Sequence, residues 1–265
     1  MPFDKPFHRN YRAIISGPNS GYSDWGYIVD PEYAKFPEHY IRAFLLIQSD
    51  LEKLFEYIEP ADDNLKTFSY RIHELLIRTC IEIEANFKAI LKENIYSPCS
   101  KKGKERLEKN WNLINDYYQV NKTHHLDSYK VSIPIWRGYK SQFTPFIEWK
   151  SQKTLSWYSA YNYCKHDRQD KFCYASFENL LNAVAGLFVL LSSQFRTEDF
   201  SPKNRGLAVS GNDYYKGKSG LGGFFRIIFP DDWEDNEKYC FDWNVLKDQS
   251  DKFNKIDYNL IKNSL

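Results

Sequence analysis

The sequence predicts a mainly α-helical fold: an up-down bundle of about five helices, a β-hairpin inserted near 129–149, and small β or irregular extensions at both ends. Three observations carry this. Apolar residues recur at three- and four-residue steps between 38 and 59, the spacing of an amphipathic helix. A stretch of about thirty residues, Asn64 to Asn94, contains neither Pro nor Gly. Beyond Pro202 the helical period disappears, and glycines and aromatic residues take over.

Residues 1–36 form an aromatic-rich extension, where Gly17-Pro18, Gly21, Gly26, Pro31 and Pro37 predict loops and short strands. The bundle occupies 37–200. Its first helix starts near Pro37, carries Ile41, Phe44, Leu45, Ile47, Leu51, Leu54, Phe55 and Ile58 inward, and stops at Pro60. The second has apolar residues on two sides. Ile72, Leu76, Thr79, Ile83, Phe87 and Ile90 form one face while Ile77, Ile81 and Ala85 lie across from it, so this helix is expected to be the doubly covered centre of the bundle. A third helix is expected over 101–120, starting in a Lys-rich turn and carrying Leu107, Trp111, Leu113, Ile114, Tyr117 and Tyr118, with a loop at Asn121–Asp127. Alternating Val131, Ile133 and Ile135, a turn at Gly138 and a return over Phe143–Trp149 read as a hairpin, whose Pro134 and Pro145 confine the strands to edges. A fourth helix follows Ser156 and a fifth runs from about Tyr174 to Phe195. In the last segment, 201–265, Phe224–Phe229 and Tyr239–Trp243 suggest short strands that pair with the hairpin or the N-terminal segment.

Composition narrows the functional classes. With 42% hydrophobic and 27% charged residues the chain has the apolar surface a packed core needs. Its 36 basic and 35 acidic residues nearly cancel, so nucleic-acid binding must be local. The 20 Tyr, 19 Phe and 7 Trp are an unusual load, and some of these rings are expected at the surface. Five scattered cysteines without a C-x-x-C pair, and a first segment lacking an apolar secretory core, point to a reducing cytoplasm. The longest apolar run, Ala183–Leu191, is nine residues, far below the roughly 20 a bilayer needs, so no membrane association is expected.

The segment Ser156 to Arg168 carries the chemistry. On a helix Asn162 and His166 are neighbours one turn apart, with Lys165 and Gln169 beside them, while Trp157, Tyr161 and Cys164 face the core. Such a polar stripe suits a phosphodiester: imidazole exchanges protons near neutral pH, and Lys or Arg offsets phosphate charge. The other reading of the same residues is architectural, with Asn162 and His166 fastening the helix by buried hydrogen bonds and Asp167 and Arg168 ending it.

Two long antiparallel helices, a helix with Tyr161-Asn162-x-x-x-His166 followed by Asp167-Arg168, and an apolar last helix resemble the HEPN superfamily over about 38–195. That resemblance implies RNA binding or metal-independent RNA cleavage in bacterial toxin or phage-defence systems. His166 and Asn162 match the catalytic positions of the family's Arg-x(4–6)-His motif, often Arg-Asn at its start. Tyr161 stands where the Arg would be, so phosphate contacts would fall to Lys165 and Arg168. Arg78 and Glu82 on the second helix would supply a cation and a carboxylate if they faced the His166 stripe; otherwise Glu74, Arg78, Glu82 and the Glu84–Lys88 pair are solvated ion pairs. No metal and no cofactor are expected, and the expected partners are RNA and a second copy of the chain. The alternative is a non-catalytic helical scaffold that dimerises or binds a protein partner.

Other motifs are weaker. Gly211 to Gly217-Lys218-Ser219 has one residue too many between its glycines for a P-loop, and His124-His125 has no helically spaced metal-ligand partner. Asn121-Lys122-Thr123 fits a glycosylation acceptor only on a secretory route, and Lys101, Lys102, Lys104, Arg106 and Lys109 are interleaved with Glu105 and Glu108 as in a solvated helix start.

Overall fold

A computed structural model describes residues 1–17, 22–98, 106–140, 142–200 and 217–263, and the fold is mainly α, with a small antiparallel sheet and irregular extensions. The principal helices are α1 (Pro37–Phe55), α2 (Tyr70–Glu93), α3 (Tyr118–His124), α4 (Ser156–His166), the single turn α5 (Arg168–Lys171) and α6 (Phe177–Phe195). Two short helices, α7 (Trp243–Leu246) and α8 (Tyr258–Asn263), lie in the C-terminal segment.

The centre of the bundle is α6, and this corrects the expectation for α2. Buried residues run all round α6, from Phe177 through Phe195, and Gly186 lets it approach α4, since a Cβ there would lie 3.3 Å from the Trp157 ring. By contrast α2 buries one broad face containing Ile72, Leu76, Cys80, Ile83 and Phe87, while Ile81 on the far side is 52% exposed. The helix also starts six residues later than expected. Residues 65–68 spend their backbone on the start of α6, with Phe177 N donating to Thr67 O (2.7 Å) and Glu178 N to Leu65 O (2.9 Å). Ser69 then caps α2 by accepting from Ile72 N. The first helix likewise ends a turn early, at Phe55.

The third helix is realised only in its last part. Asp116 is fully buried and accepts hydrogen bonds from Tyr96 Oη, Asn112 N and the Arg106 guanidinium, which wraps 106–116 around one carboxylate in place of a continuous helix. A π-turn over Leu113–Tyr117 leads into α3, which runs through the expected loop to His124. Lys101, Lys102 and Lys104 fall outside the described residues.

The hairpin forms, from β1 (Lys130–Ser132) and β2 (Gln142–Phe143), with Val131 opposite Phe143. The return strand is shorter than expected because 147–151 turns into a 3₁₀ helix that buries Trp149. Of the two partners open to it, the Phe224–Phe229 run pairs with the hairpin: β4 (Arg226–Ile228) lies antiparallel to β1 and β3 (Lys218–Ser219) lies outside it, giving the order β2-β1-β4-β3. Lys218-Ser219 is thus strand and not the helix start a P-loop needs, and Gly211 lies outside the described residues. The Tyr239–Trp243 run is not a strand either. It makes single bridges from Tyr239 to Phe3 and Ile14, and α7 begins at Trp243.

The two extensions interleave. Arg9 is fully buried and reaches Glu93 (2.7 Å), Gln194 (3.0 Å) and the Lys35 carbonyl (2.6 Å), and Tyr239 Oη donates to Asn10 O (2.8 Å). His124 is buried between them, with Nε2 2.8 Å from Arg9 O and Nδ1 beside Asn10 and Thr123, while His125 stacks on Trp233 at 3.9 Å and contacts Asp232 and Glu237. These histidines tie the chain ends together. Asn121 is also buried, its amide nitrogen donating to Asp127 (2.8 Å), which leaves no accessible glycosylation acceptor. Among the described residues no helix is long and apolar enough to cross a membrane.

Candidate functional site

Helix α4 is amphipathic in the sense its sequence implies. Trp157, Ala160, Tyr161 and Cys164 are buried against α6 and α2, with Trp157 Nε1 donating to Pro145 O (2.7 Å). At about 100° per residue this leaves Ser159, Asn162, Tyr163 and His166 on the outer side. Asn162 is half-buried and His166 exposed, and among the described residues neither side chain makes a hydrogen bond or an ion pair. The architectural reading of these two residues is therefore corrected. The helix is fastened instead by Tyr158, whose hydroxyl donates to Glu84 on α2 (2.8 Å), and by Cys164, whose thiol donates to Lys171 O (3.4 Å).

Lys165 and Tyr161 do not stand on the open stripe. The Lys165 ammonium folds back over the Tyr161 ring (5.1 Å) and donates to its hydroxyl (3.1 Å). Burial, followed by the negative charge of Glu84, pushes the Tyr161 phenol well above its ordinary value, and its burial between α2 and α4 keeps it off the open stripe. The same two causes raise Tyr158, and burial and then Glu84 raise the Cys80 thiol. Glu84, Cys80, Tyr158, Tyr161 and Lys165 thus form one polar knot between α2 and α4. Sequence spacing paired Glu84 with Lys88; its true partner comes from another helix, which no local pattern reveals.

Arg78 and Glu82 do not join His166. Arg78 forms an ion pair with Asp50 on α1, and Glu82 lies one turn along the same side, its carboxyl raised by burial against the opposing pull of Arg78. Arg78 and Cys80 are two positions apart, hence on opposite sides of α2, and it is the Cys80 side that meets α4. Arg78 instead lines a cleft of about 540 Å³ between α1 and α2, together with Asp50, Lys53, Tyr57, Arg71 and Glu74. Arg71 and Glu74 pair with each other there (3.1 Å), so the charges of the cleft are largely spent internally.

What the structure gathers around His166 is a short basic run and a set of rings. Arg168 is exposed on α5 without an ion-pair partner among the described residues, and the Lys171 ammonium lies 5.8 Å from the Tyr174 ring centre. Asp167 and Asp170 share the same turn and moderate the positive charge. Tyr163, three residues before His166, meets Tyr174 edge-on at 5.2 Å. These rings were missed by motif reading; the only signal was the overall aromatic load. Among the described residues no group of three or more His, Cys, Asp or Glu side chains is placed to hold a metal ion. Comparison with family models, with curated proteins and with solved structures found no match to this chain.

Proposed function

We propose that the chain is a HEPN-like RNA-binding protein that holds the RNA backbone against the outer stripe of α4 and the following turn. The observation that carries this reading is that Asn162 and His166 stand one turn apart on the outer side of α4, with no hydrogen-bond or ion-pair partner for either side chain among the described residues. An amide and an imidazole left open in this way, with exposed Arg168 two residues further along the chain, are donors for phosphate and sugar oxygens. The resemblance implies a setting in bacterial toxin or phage-defence systems.

Binding without turnover is the activity these residues support. His166 is the one proton-exchanging side chain on the stripe, Lys165 is committed to Tyr161 (3.1 Å), and Tyr161 is buried where the family's Arg would reach the phosphate. The test is the affinity of purified protein for a short labelled single-stranded RNA in EDTA, measured across a salt series. With Arg168 and Lys171 as the cationic contacts, log affinity should fall against log salt with a slope of about −1.4, and Arg168→Ser should make it shallower by about 0.7. His166→Ala should weaken binding while the far-UV circular dichroism is unchanged. Metal-free cleavage abolished by His166→Ala would move the reading to a ribonuclease. No RNA affinity at low salt, with association of the chain that salt leaves untouched, would favour the scaffold reading.

A further inference from the structure

Five aromatic side chains gather at the end of the bundle where α4 finishes and α2 begins. Tyr163 and Tyr174 are 49% and 43% exposed, and Phe68 and Tyr70 are 50% and 65% exposed. Phe172 packs on the second pair, with its ring 4.7 Å from Tyr70 and 5.7 Å from Phe68, and it lies two residues before Tyr174 in the chain. Rings exposed to this degree are ordinarily scattered singly; a contiguous group marks a binding surface.

The group is also held rigidly. Phe68 bridges to Ser176, Thr67 and Leu65 accept from the first amides of α6, and Ser69 and Ser176 cap α2 and α6 side by side. The rings are therefore presented in place before any ligand arrives, which lowers the ordering cost of binding.

We propose that Tyr163, Tyr174, Phe172, Tyr70 and Phe68 form a base-stacking platform for unpaired bases of single-stranded RNA, continuous with the α4 stripe. The proposal rests on the RNA-binding reading and deepens it by assigning the substrate form and a second set of binding residues. Charge selects this occupant over an apolar protein surface. Lys66 lies two residues before Phe68, Arg168 follows α4 and Lys171 lies against Tyr174, so basic side chains accompany both pairs of rings. Carboxylates in the same stretch are Glu74, already paired with Arg71, and Asp167 and Asp170. A strand whose phosphates follow the cations can lay its bases on the rings, because every base has a face to stack and no sequence-specific donor pattern is required. In a duplex the base faces are already stacked on one another and unavailable.

Three RNAs of one length test this: a single strand, the same strand in a duplex, and a strand of abasic sugar-phosphate. Tyr163→Ala and Tyr174→Ala remove partly exposed rings, and Tyr174→Trp restores a stacking face. Expected is tighter binding of the single strand than of the other two, a loss of about 5- to 100-fold in each alanine variant with an unchanged salt slope, and recovery in Tyr174→Trp. Equal affinity for single strand, duplex and abasic strand, or alanine variants that bind as well as the parent, would overturn the platform while leaving RNA binding by α4 intact. Absence of binding to all three would overturn both. Binding that ignores salt and tracks the rings alone would assign them to a protein partner and also reject the proposal.

Discussion

Histidines illustrate how position decides what an identical side chain does. His166 ends α4 in solvent and is the centre of the proposed site, whereas His124 is fully buried and accepts or donates at both ring nitrogens. Burial lowers the His124 pKa from 6.5 to about 3, outweighing the hydrogen bond to Arg9 O. The folded value lies below the unfolded one, so the unfolded chain takes up the proton first: the stabilisation is complete above pH 6.5 and is lost as pH falls toward 3. Burial lowers His8 as well, in the same direction. Urea unfolding should therefore give a stability about 1.4 kcal/mol lower at about pH 5.5 than at neutrality from His124 alone, with His8 adding to it. A flat profile across that window would mean that the His124 ring opens to solvent and protonates in the native state.

At the scale of elements, the bundle's short connections are set by backbone demands that single residues meet. Gly138 has φ of +133°, and a Cβ there would lie 2.3 Å from the Asp62 carboxylate. That carboxylate accepts from Trp136 Nε1 (2.8 Å), Tyr139 N (2.6 Å) and Lys140 N (3.2 Å), which lowers the Asp62 pKa and pins the hairpin turn to the segment between α1 and α2. Gly138→Ala must distort the turn or expel Asp62, at a cost of about 1–3 kcal/mol. Thermal unfolding measures this, and a variant as stable as the parent would show that the turn has room to relax. The same logic shortened α2. Its expected first turn is spent on pairing residues 65–68 with the start of α6, a tertiary demand that overrides a sequence free of helix breakers.

For the molecule as a whole, extensions and bundle share one core. Phe7, Tyr11, Tyr27, Tyr239 and Tyr258 belong to the same buried cluster as Phe87 and Phe188, and Arg9 carries its charge into the bundle to meet Glu93 (2.7 Å). A fragment spanning 37–200 would lack the five extension rings, uncover the core they complete and strand Glu93 at the end of α2. It is expected to lose cooperative unfolding, seen as a broad transition by circular dichroism, whereas the full chain melts in one step. A sharp transition in the fragment would mean that the bundle is an independent domain.

The amino-acid order alone determined the fold class, the long helices α1, α2, α4 and α6, the hairpin, and the side of α4 that Trp157 and Cys164 turn to the core. All of these follow from periods of two or about 3.6 residues, which are local and can be read from spacing. Only the tertiary structure decided which polar groups meet. Spacing left Arg78 and Glu82 open to joining the His166 stripe or to standing as solvated ion pairs, and the rotation of α2 turns Arg78 to Asp50 and hands Glu84 to Tyr158. Nor could spacing bring Tyr174 to Tyr163 or Phe172 to Tyr70. How a helix is rotated about its axis is settled by the packing of every neighbour at once, so the company its polar residues keep is a property of the assembled core.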